Sequence, residues 1–247
     1  MIEVENYTKL YGDIVAVQSL SFSVQAGDVL GLVGPNGAGK TTTLRAIAGI
    51  LQPTSGKIRI AGIDLSDNPV AAKSRLAFIP DEPQLFDYLT VTEHLHFVAR
   101  LYGVTEAEPR IPTLLGELEL TSKKDALPTE LSRGMKQKLA IACGLLHRPA
   151  ALLLDEPLTG LDPVGIRRMK ETILARAREG TAIVLSSHLL HLVEELCTRL
   201  LVIRRGEVAA FGTIDDIVAQ HPELAGRSLE ELFIALTGDD AGEHARP

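Results

Sequence analysis

The chain has 247 residues, 45% of them hydrophobic, which is enough for one large domain or two small ones with a substantial core. Its net charge of −7 and its lack of tryptophan argue against a nucleic-acid partner, because such surfaces are basic and stack bases on aromatic rings. No apolar run approaches the ~18 residues of a membrane-spanning helix. The two cysteines, Cys143 and Cys197, lie in apolar contexts without metal-binding spacing.

The chain begins with a segment that predicts two antiparallel strands, over residues 2–10 and 14–24, around a Gly12-Asp13 turn. Tyr11 stands at that turn. Its ring could serve as half-buried filler, or it could stack on a purine because it lies upstream of a phosphate loop. The spacing alone leaves both interpretations open.

Residues 34–42 read Gly-Pro-Asn-Gly-Ala-Gly-Lys-Thr-Thr and match the phosphate-loop pattern G-x-x-x-x-G-K-[ST] at every fixed position. They lie between a predicted buried strand and a predicted helix. Glycines allow backbone N–H groups to converge on one anion, and the helix N-terminus adds partial positive charge there. Lys40 supplies a full charge for the β- and γ-phosphates, and the Thr41 hydroxyl can ligate Mg²⁺. The pattern therefore predicts a nucleoside triphosphate site.

A polar loop, residues 81–84, directly follows another predicted buried strand. Ligands bind at the C-terminal ends of strands in α/β sheets, so Asp81 either faces a ligand or belongs to a solvated acidic loop. The next block, residues 90–147, is predicted to be all-helical and inserted between strands. Thr90 and Glu93 are spaced as a capping box at its first amphipathic helix.

Two later motifs have simple local explanations as helix starts. Ser132 is placed to cap a helix predicted over residues 138–147, because its hydroxyl can accept a hydrogen bond from the first turn. Asp162 is likewise an N-cap, followed by Pro163 at the first position of the next helix. Taken alone, neither motif indicates more than an ordinary capped helix.

Two carboxylates, Asp155 and Glu156, end a strand predicted over residues 151–154. Carboxylates at the end of a buried strand are costly unless something uses them. In a phosphate-loop protein the first is the acid expected at a Mg²⁺ site, and the second can orient or deprotonate a water. His188 also follows a predicted strand, where it could cap the next helix or donate to a γ-phosphate.

In this order, the motifs closely resemble those of the nucleotide-binding subunit of ATP-binding cassette (ABC) transporters. Apart from the phosphate loop each is weak alone, and the specificity lies in the full ordered set. The resemblance covers roughly residues 2–220. The motifs are Tyr11, residues 34–42, the loop at Asp81, residues 131–137, residues 152–156, Leu161-Asp162 and His188.

The resemblance implies an α/β fold: a P-loop NTPase core, an N-terminal antiparallel β subdomain and an α-helical subdomain inserted at about residues 82–148. A short C-terminal helix and a polar tail would follow in residues 221–247. Residues 238–247 of this tail are polar, with few apolar side chains, and are expected to be frayed.

The resemblance also implies ATP and Mg²⁺ as cofactors. Tyr11 would stack on adenine, and Thr41, Asp155 and Asp81 would lie at the metal. The residues expected to hold the nucleotide phosphates are Gly34, Asn36, Gly37, Gly39, Lys40, Thr41 and Thr42.

For the chemistry, the resemblance assigns Glu156 to the attacking water and His188 to the γ-phosphate. Ser132 and Gly134 belong to the signature motif, which in this family completes the ATP site of a second nucleotide-binding subunit. Asp162 is placed at the nucleotide as well. ATP would close two subunits head to tail, and hydrolysis would reopen them.

A chain of this kind, without a membrane span of its own, is expected to energise a separate membrane permease at the cytoplasmic face of the cell membrane. The alternative is a soluble ABC-type ATPase acting on ribosomes or DNA. Such proteins usually carry two cassettes in one chain or a long coiled-coil insertion, and this sequence has neither.

Two features depart from the family pattern. The signature Leu-Ser-Gly-Gly-Gln reads Leu-Ser-Arg-Gly-Met here, so Arg133 replaces a glycine and Met135 a glutamine. Asp81 stands where the family usually has glutamine, with Gln84 three residues on. An ionised carboxylate can ligate Mg²⁺ but cannot donate a hydrogen bond. Signatures of this kind with an acidic loop resemble those of subunits paired with export-type permeases.

Phe86, Tyr88 and Leu89 place three apolar side chains in one short stretch at the border of the helical block. They could pack inward as core. The resemblance instead locates a groove for the permease near this stretch, which predicts that at least two of the three are exposed.

Overall fold

The computed structural model describes residues 1–238, and ten strands in this part form two sheets. In chain order the strands are β1 (Ile2–Tyr11), β2 (Ile14–Val24), β3 (Val29–Val33), β4 (Ser55–Ile60), β5 (Ile63–Asp64), β6 (Leu76–Ile79), β7 (Ala151–Asp155), β8 (Ala182–Ser186), β9 (Arg199–Arg204) and β10 (Glu207–Gly212). The helices are α1 (Lys40–Ile47), α2 (Pro69–Lys73), α3 (Val91–Tyr102), α4 (Ala107–Glu117), α5 (Arg133–Leu146), α6 (Pro163–Arg178), α7 (Leu190–Leu196), α8 (Ile214–Gln220) and α9 (Leu229–Thr237).

The larger sheet has the order β10-β9-β3-β8-β7-β6. Neighbouring strands are parallel from β9 to β6, and only β10 pairs antiparallel. Strands β3, β7 and β8 are buried along their whole length, as continuous apolar runs in parallel sheets usually are. Five strands therefore deliver their C-terminal ends to one edge of the sheet.

The smaller sheet is antiparallel, with the order β2-β1-β4-β5. Its apolar face shares a core with α1 and with the larger sheet, so the helix that follows the phosphate loop is packed against both sheets. Tyr7 of β1 is fully buried in this core, and its hydroxyl donates to the Thr42 carbonyl oxygen at 3.4 Å. This contact anchors the first turn of α1 to the β subdomain.

Helices α3, α4 and α5 lie between β6 and β7 in the chain and share a second core with the larger sheet. The predicted capping box is confirmed at α3: the Glu93 N–H donates to Thr90 Oγ1, and the Thr90 N–H donates to Glu93 Oε2 at 2.7 Å. These hydrogen bonds lower the pKa of Glu93. The all-helical prediction for this block is confirmed.

Several predicted boundaries were wrong in a consistent direction. Helix α5 begins at Arg133, five residues before the predicted start, because Ser132 caps it directly. The sequence also predicts a helix over residues 111–118. That helix, α4, begins earlier, at Ala107, because Pro109 lies in the first turn, where no N–H is needed. The sequence predicts a turn over residues 52–56 and a strand over residues 57–60, but β4 extends back to Ser55; the two-residue β5 was not predicted.

The sequence predicts helices over residues 215–220 and 229–236, and these are confirmed as α8 and α9. Residues 239–247, most of the predicted polar tail, lie outside the described residues.

Candidate nucleotide-binding site

The predicted site residues lie where parallel strands end at the same edge of the larger sheet. The phosphate loop follows β3, Asp81 follows β6, Asp155 ends β7 and His188 follows β8. Strand β8 lies between β3 and β7 and pairs with both. Asp155 and Glu156, at the end of β7, are therefore separated from the phosphate loop by a single strand. This edge is where α/β sheets bind ligands.

Close backbone packing explains two of the three glycines of the phosphate loop, Gly34 and Gly39. A Cβ at Gly34 would collide with the Ile203 carbonyl oxygen, and one at Gly39 would lie 2.8 Å from the Ala16 carbonyl oxygen. Gly39 also has a φ of +106°, a backbone conformation that residues with a Cβ rarely adopt. It is the N-cap of α1 and provides no capping side chain, so the first turn of α1 can present N–H groups to an anion.

The Lys40 ammonium is held inside this loop. Its Nζ donates to the carbonyl oxygens of Gly34, at 2.7 Å, and Pro35, at 3.1 Å. Burial lowers the pKa of Lys40, while the carboxylates of Glu156 and Asp155 act in the opposite direction. A cation is therefore oriented across the loop and faces the two acids at the end of β7.

Asp155 is 6% exposed, and the Ser186 hydroxyl donates to its Oδ1 at 2.6 Å. The two residues are paired directly in the register of β7 and β8. Ser186 was not among the site residues predicted from the sequence. A polar residue at the C-terminal end of an apolar strand was the available signal, but its partner depends on strand order.

Glu156 is held by three interactions and a strained backbone. His188 Nδ1 lies 2.8 Å from Glu156 Oε2, and the His188 N–H donates to the same oxygen at 3.4 Å. The Glu156 N–H donates to the Ser186 carbonyl oxygen at 3.0 Å. Its φ of +50° lies in the left-handed region, which is uncommon for a non-glycine residue and is often found at functional sites.

Burial raises the pKa of Glu156, the contacts with His188 lower it, and Asp155 raises it. A raised pKa favours proton acceptance nearer neutral pH. His188 does not cap the next helix, since the N-cap of α7 is Leu189 and has no side-chain cap. The structure thus joins the two residues predicted to be catalytic.

Tyr11 ends β1, paired with Ile14, and is 49% exposed. The Lys9 ammonium lies 5.2 Å from the centre of its ring. Its stacking on adenine stays a prediction.

The remaining site residues start helices away from the phosphate loop. Ser132 Oγ accepts from the Met135 N–H at 3.2 Å, and Asp162 Oδ1 accepts from the Gly165 N–H at 2.9 Å, so both predicted N-caps are confirmed. Gly134 packs against the loop before α6: a Cβ there would lie 3.1 Å from the Gly160 carbonyl oxygen. Within residues 1–238, no side-chain hydrogen bond joins Ser132 or Asp162 to the phosphate loop.

Comparison with known proteins identifies the family. A protein-family model described as "ABC transporter" matches residues 17–159 of this chain. The chain is 34% identical over 244 residues to the ABC-type transporter ATP-binding protein EcsA of Bacillus subtilis, covering 98% of each protein. This chain belongs to the ABC transporter family. It is 40% identical over 234 residues to the Nod factor export ATP-binding protein I of Paraburkholderia xenovorans, covering 94% of this chain and 76% of that protein.

Solved structures agree with the ABC fold. One, the structure of an ATP-binding subunit of an ABC transporter, has a TM-score of 0.92 and 38% identity over 96% of this chain and 100% of that one. The dimeric cassette MJ0796 has a TM-score of 0.79 over 87% of this chain and 99% of its own; at 24% identity it shows the fold alone. The chain is thus an ABC transporter ATP-binding subunit, an ATPase with the predicted α/β cassette architecture.

In this ABC subunit two residues that depart from the family pattern, Arg133 of the signature and Asp81 of the loop after β6, contact each other. Arg133 Nη2 donates to Asp81 Oδ1 at 2.9 Å. Gln84, the other polar candidate in that loop, donates to the Glu82 carbonyl oxygen at 3.4 Å. A metal role was predicted for Asp81 and no role for Arg133, and their contact was not predicted.

The oxygen atoms of Thr41, Asp155 and Asp81 are donors of the kind that Mg²⁺ prefers. Within residues 1–238, no group of three or more His, Cys, Asp or Glu side chains could hold a metal ion by itself. Mg²⁺ is typically bound through one or two carboxylates together with substrate phosphates, so this donor set fits a metal that arrives with a nucleotide. Separately, none of the helices in residues 1–238 has the length and apolarity to cross a bilayer.

Proposed function

We propose that this ABC ATPase binds ATP with Mg²⁺ at the strand edge described above and uses Glu156 as the general base. The observation that carries the proposal is the Glu156–His188 contact beside the phosphate loop. Thr41, Asp155 and Asp81 would hold the metal, which when bound neutralises phosphate charge. Tyr11 would stack on adenine, and the phosphates would lie in the loop formed by Gly34, Asn36, Gly37, Gly39, Lys40, Thr41 and Thr42.

In hydrolysis, Glu156 takes a proton from the attacking water, and a desolvated carboxylate with a raised pKa is suited to that task. His188 orients that carboxylate through Nδ1 and faces the γ-phosphate. Lys40 stabilises the charge that develops on the phosphate oxygens.

A complete site would require a second nucleotide-binding subunit. Ser132 and Gly134 lie at the N-terminus of α5, where free N–H groups and the helix dipole favour an anion. In a two-fold dimer this end would meet the ATP of the other subunit, and Asp162 would lie at the same interface.

The helical subdomain, residues 82–148 of an ATPase domain over residues 2–220, would contact the membrane permease. Phe86 is 55% exposed and Tyr88 91%, while Leu89 is half-buried. The Phe86 ring packs edge-on to that of Phe97 at 5.1 Å between centroids, and Phe97 is itself exposed. An exposed aromatic surface of this kind fits a partner protein.

Export is the proposed direction, since one relative of this chain, 40% identical, carries an export name, the Nod factor export ATP-binding protein I of Paraburkholderia xenovorans. The permease would hold this subunit at the cytoplasmic face of the cell membrane. The test is affinity purification of the tagged chain from detergent-solubilised membranes. We expect a polytopic membrane protein in stoichiometric amount; recovery with ribosomes or DNA instead would contradict a transport role.

A further inference from the structure

The ion pair between Asp81 and Arg133 joins two loops that are 52 residues apart in sequence. Asp81 follows β6 of the core sheet, and Arg133 is the first residue of α5. The aliphatic stem of Arg133 lies over Gly160, where an added Cβ would be 3.0 Å from Arg133 Cδ. One side chain thus bridges the loop after β6, the start of α5 and the loop before α6.

The pair depends on two departures from the family pattern, Arg133 in the signature and Asp81 in the loop after β6. A glycine at position 133 has no side chain, and a glutamine at position 81 has no charge, so the usual residues could not form it. The start of α5 also carries Ser132 and Gly134. The ion pair is therefore an additional contact between the signature end of α5 and the loop after β6 of the same chain.

We propose that Arg133 competes with Mg²⁺ for the Asp81 carboxylate, so that binding of the metal–nucleotide complex breaks the ion pair. This inference rests on the proposed placement of the metal beside Asp81. A guanidinium and a divalent cation on one carboxylate repel each other, so each lowers the affinity of the site for the other. Once Asp81 turns to the metal, the start of α5 is released toward the second subunit.

The size of the effect follows from exposure. The Arg133 and Asp81 side chains are 53% and 43% exposed, and ion pairs with such exposure are weak and screened by salt. Removing the competitor should therefore raise the Mg²⁺-dependent gain in nucleotide affinity by about two- to fivefold.

The experiment measures that gain by isothermal titration calorimetry of the full chain with the non-hydrolysable analogue AMP-PNP, in Mg²⁺ and in EDTA. The readout is the dissociation constant in EDTA divided by that in Mg²⁺. A ratio is used because loss of a positive charge affects anion binding in both conditions. Arg133→Gln should raise the ratio. Lys136→Gln, the same charge change one turn along α5, should leave it at the wild-type value; within residues 1–238, Lys136 forms no ion pair.

A double-mutant cycle isolates the pair. Asp81→Asn should lower the ratio, because a metal ligand is lost, and adding Arg133→Gln to it should have no further effect. An unchanged ratio in Arg133→Gln, or additive effects in the double variant, would overturn the competition. A failure of the proposed site itself would be distinguishable, because Lys40→Ala would then bind AMP-PNP as well as the wild type does.

Discussion

Asp155 and Glu156 are consecutive in the chain, yet the structure gives them different partners. The Ser186 hydroxyl donates to Asp155 and so orients this carboxylate at the end of β7. Glu156 sits on a left-handed backbone beside an imidazole, and burial raises its pKa. The two carboxylates thus have different surroundings, which fits the proposed roles of Asp155 as a metal ligand and Glu156 as the general base.

Lys40→Ala should weaken ATP binding by at least about tenfold and abolish ATPase activity, because a charged hydrogen-bond donor to the phosphates disappears. Equilibrium titration with ATP and a phosphate-release assay measure the two effects. Lys57→Ala, at an exposed position of β4, is the control and should behave as the wild type. Near-normal turnover in Lys40→Ala would refute the phosphate site.

The acid limb of the pH–rate profile should move when His188 is replaced. The base works deprotonated, so activity is lost as pH falls through the Glu156 pKa. His188 lowers that pKa, so His188→Ala should let it rise and shift the acid limb of kcat/KM to higher pH. The control is His191→Ala, on the exposed face of α7. An acid limb that moves equally in both variants, or in neither, would contradict the contact's role.

At the scale of elements, local sequence patterns predicted most of the strands and helices but few of the contacts between them. Apolar runs ending at Glu156 and His188 predicted strands, and caps such as Ser132 and Thr90 predicted helix starts. The Ser186–Asp155 and Arg133–Asp81 contacts were not predictable, because strand order and the docking of α5 bring those residues together. The two-residue β5 also depends on its neighbour β4 and has no periodicity of its own.

Phe86→Ala should weaken transport coupling more than it lowers basal ATPase activity, because the side chain is proposed to be buried against the permease and lies outside the nucleotide edge. Loss of one buried phenylalanine predicts about tenfold weaker binding of the permease or more. Co-purification yield and ATPase activity with and without the permease provide the readouts. Ile50→Ala, at another exposed apolar position, is the control. Equal losses in both variants would count against this surface.

At the scale of the whole molecule, the proposed ATP site is divided between two surfaces of one chain. The phosphate loop, Asp155 and Glu156 lie at the strand edge, whereas Ser132 and Gly134 begin a helix of the helical subdomain. The Asp81–Arg133 pair links these surfaces within one chain. Two copies related by a two-fold axis would bring each surface to the other copy's nucleotide.

The most direct test of this composite ATP site is the mass of Glu156→Gln measured by light scattering in ATP and in ADP. The variant should bind ATP, hydrolyse it about 10²-fold or more slowly, and form a dimer in ATP but a monomer in ADP, since ADP lacks the bridging phosphate. Adding Ser132→Arg should abolish the ATP-dependent dimer, because the bulky arginine side chain would occupy the space at the start of α5 that is proposed for the other subunit's ATP. A Glu156→Gln monomer in both nucleotides, or a dimer that persists with Ser132→Arg, would contradict the composite site.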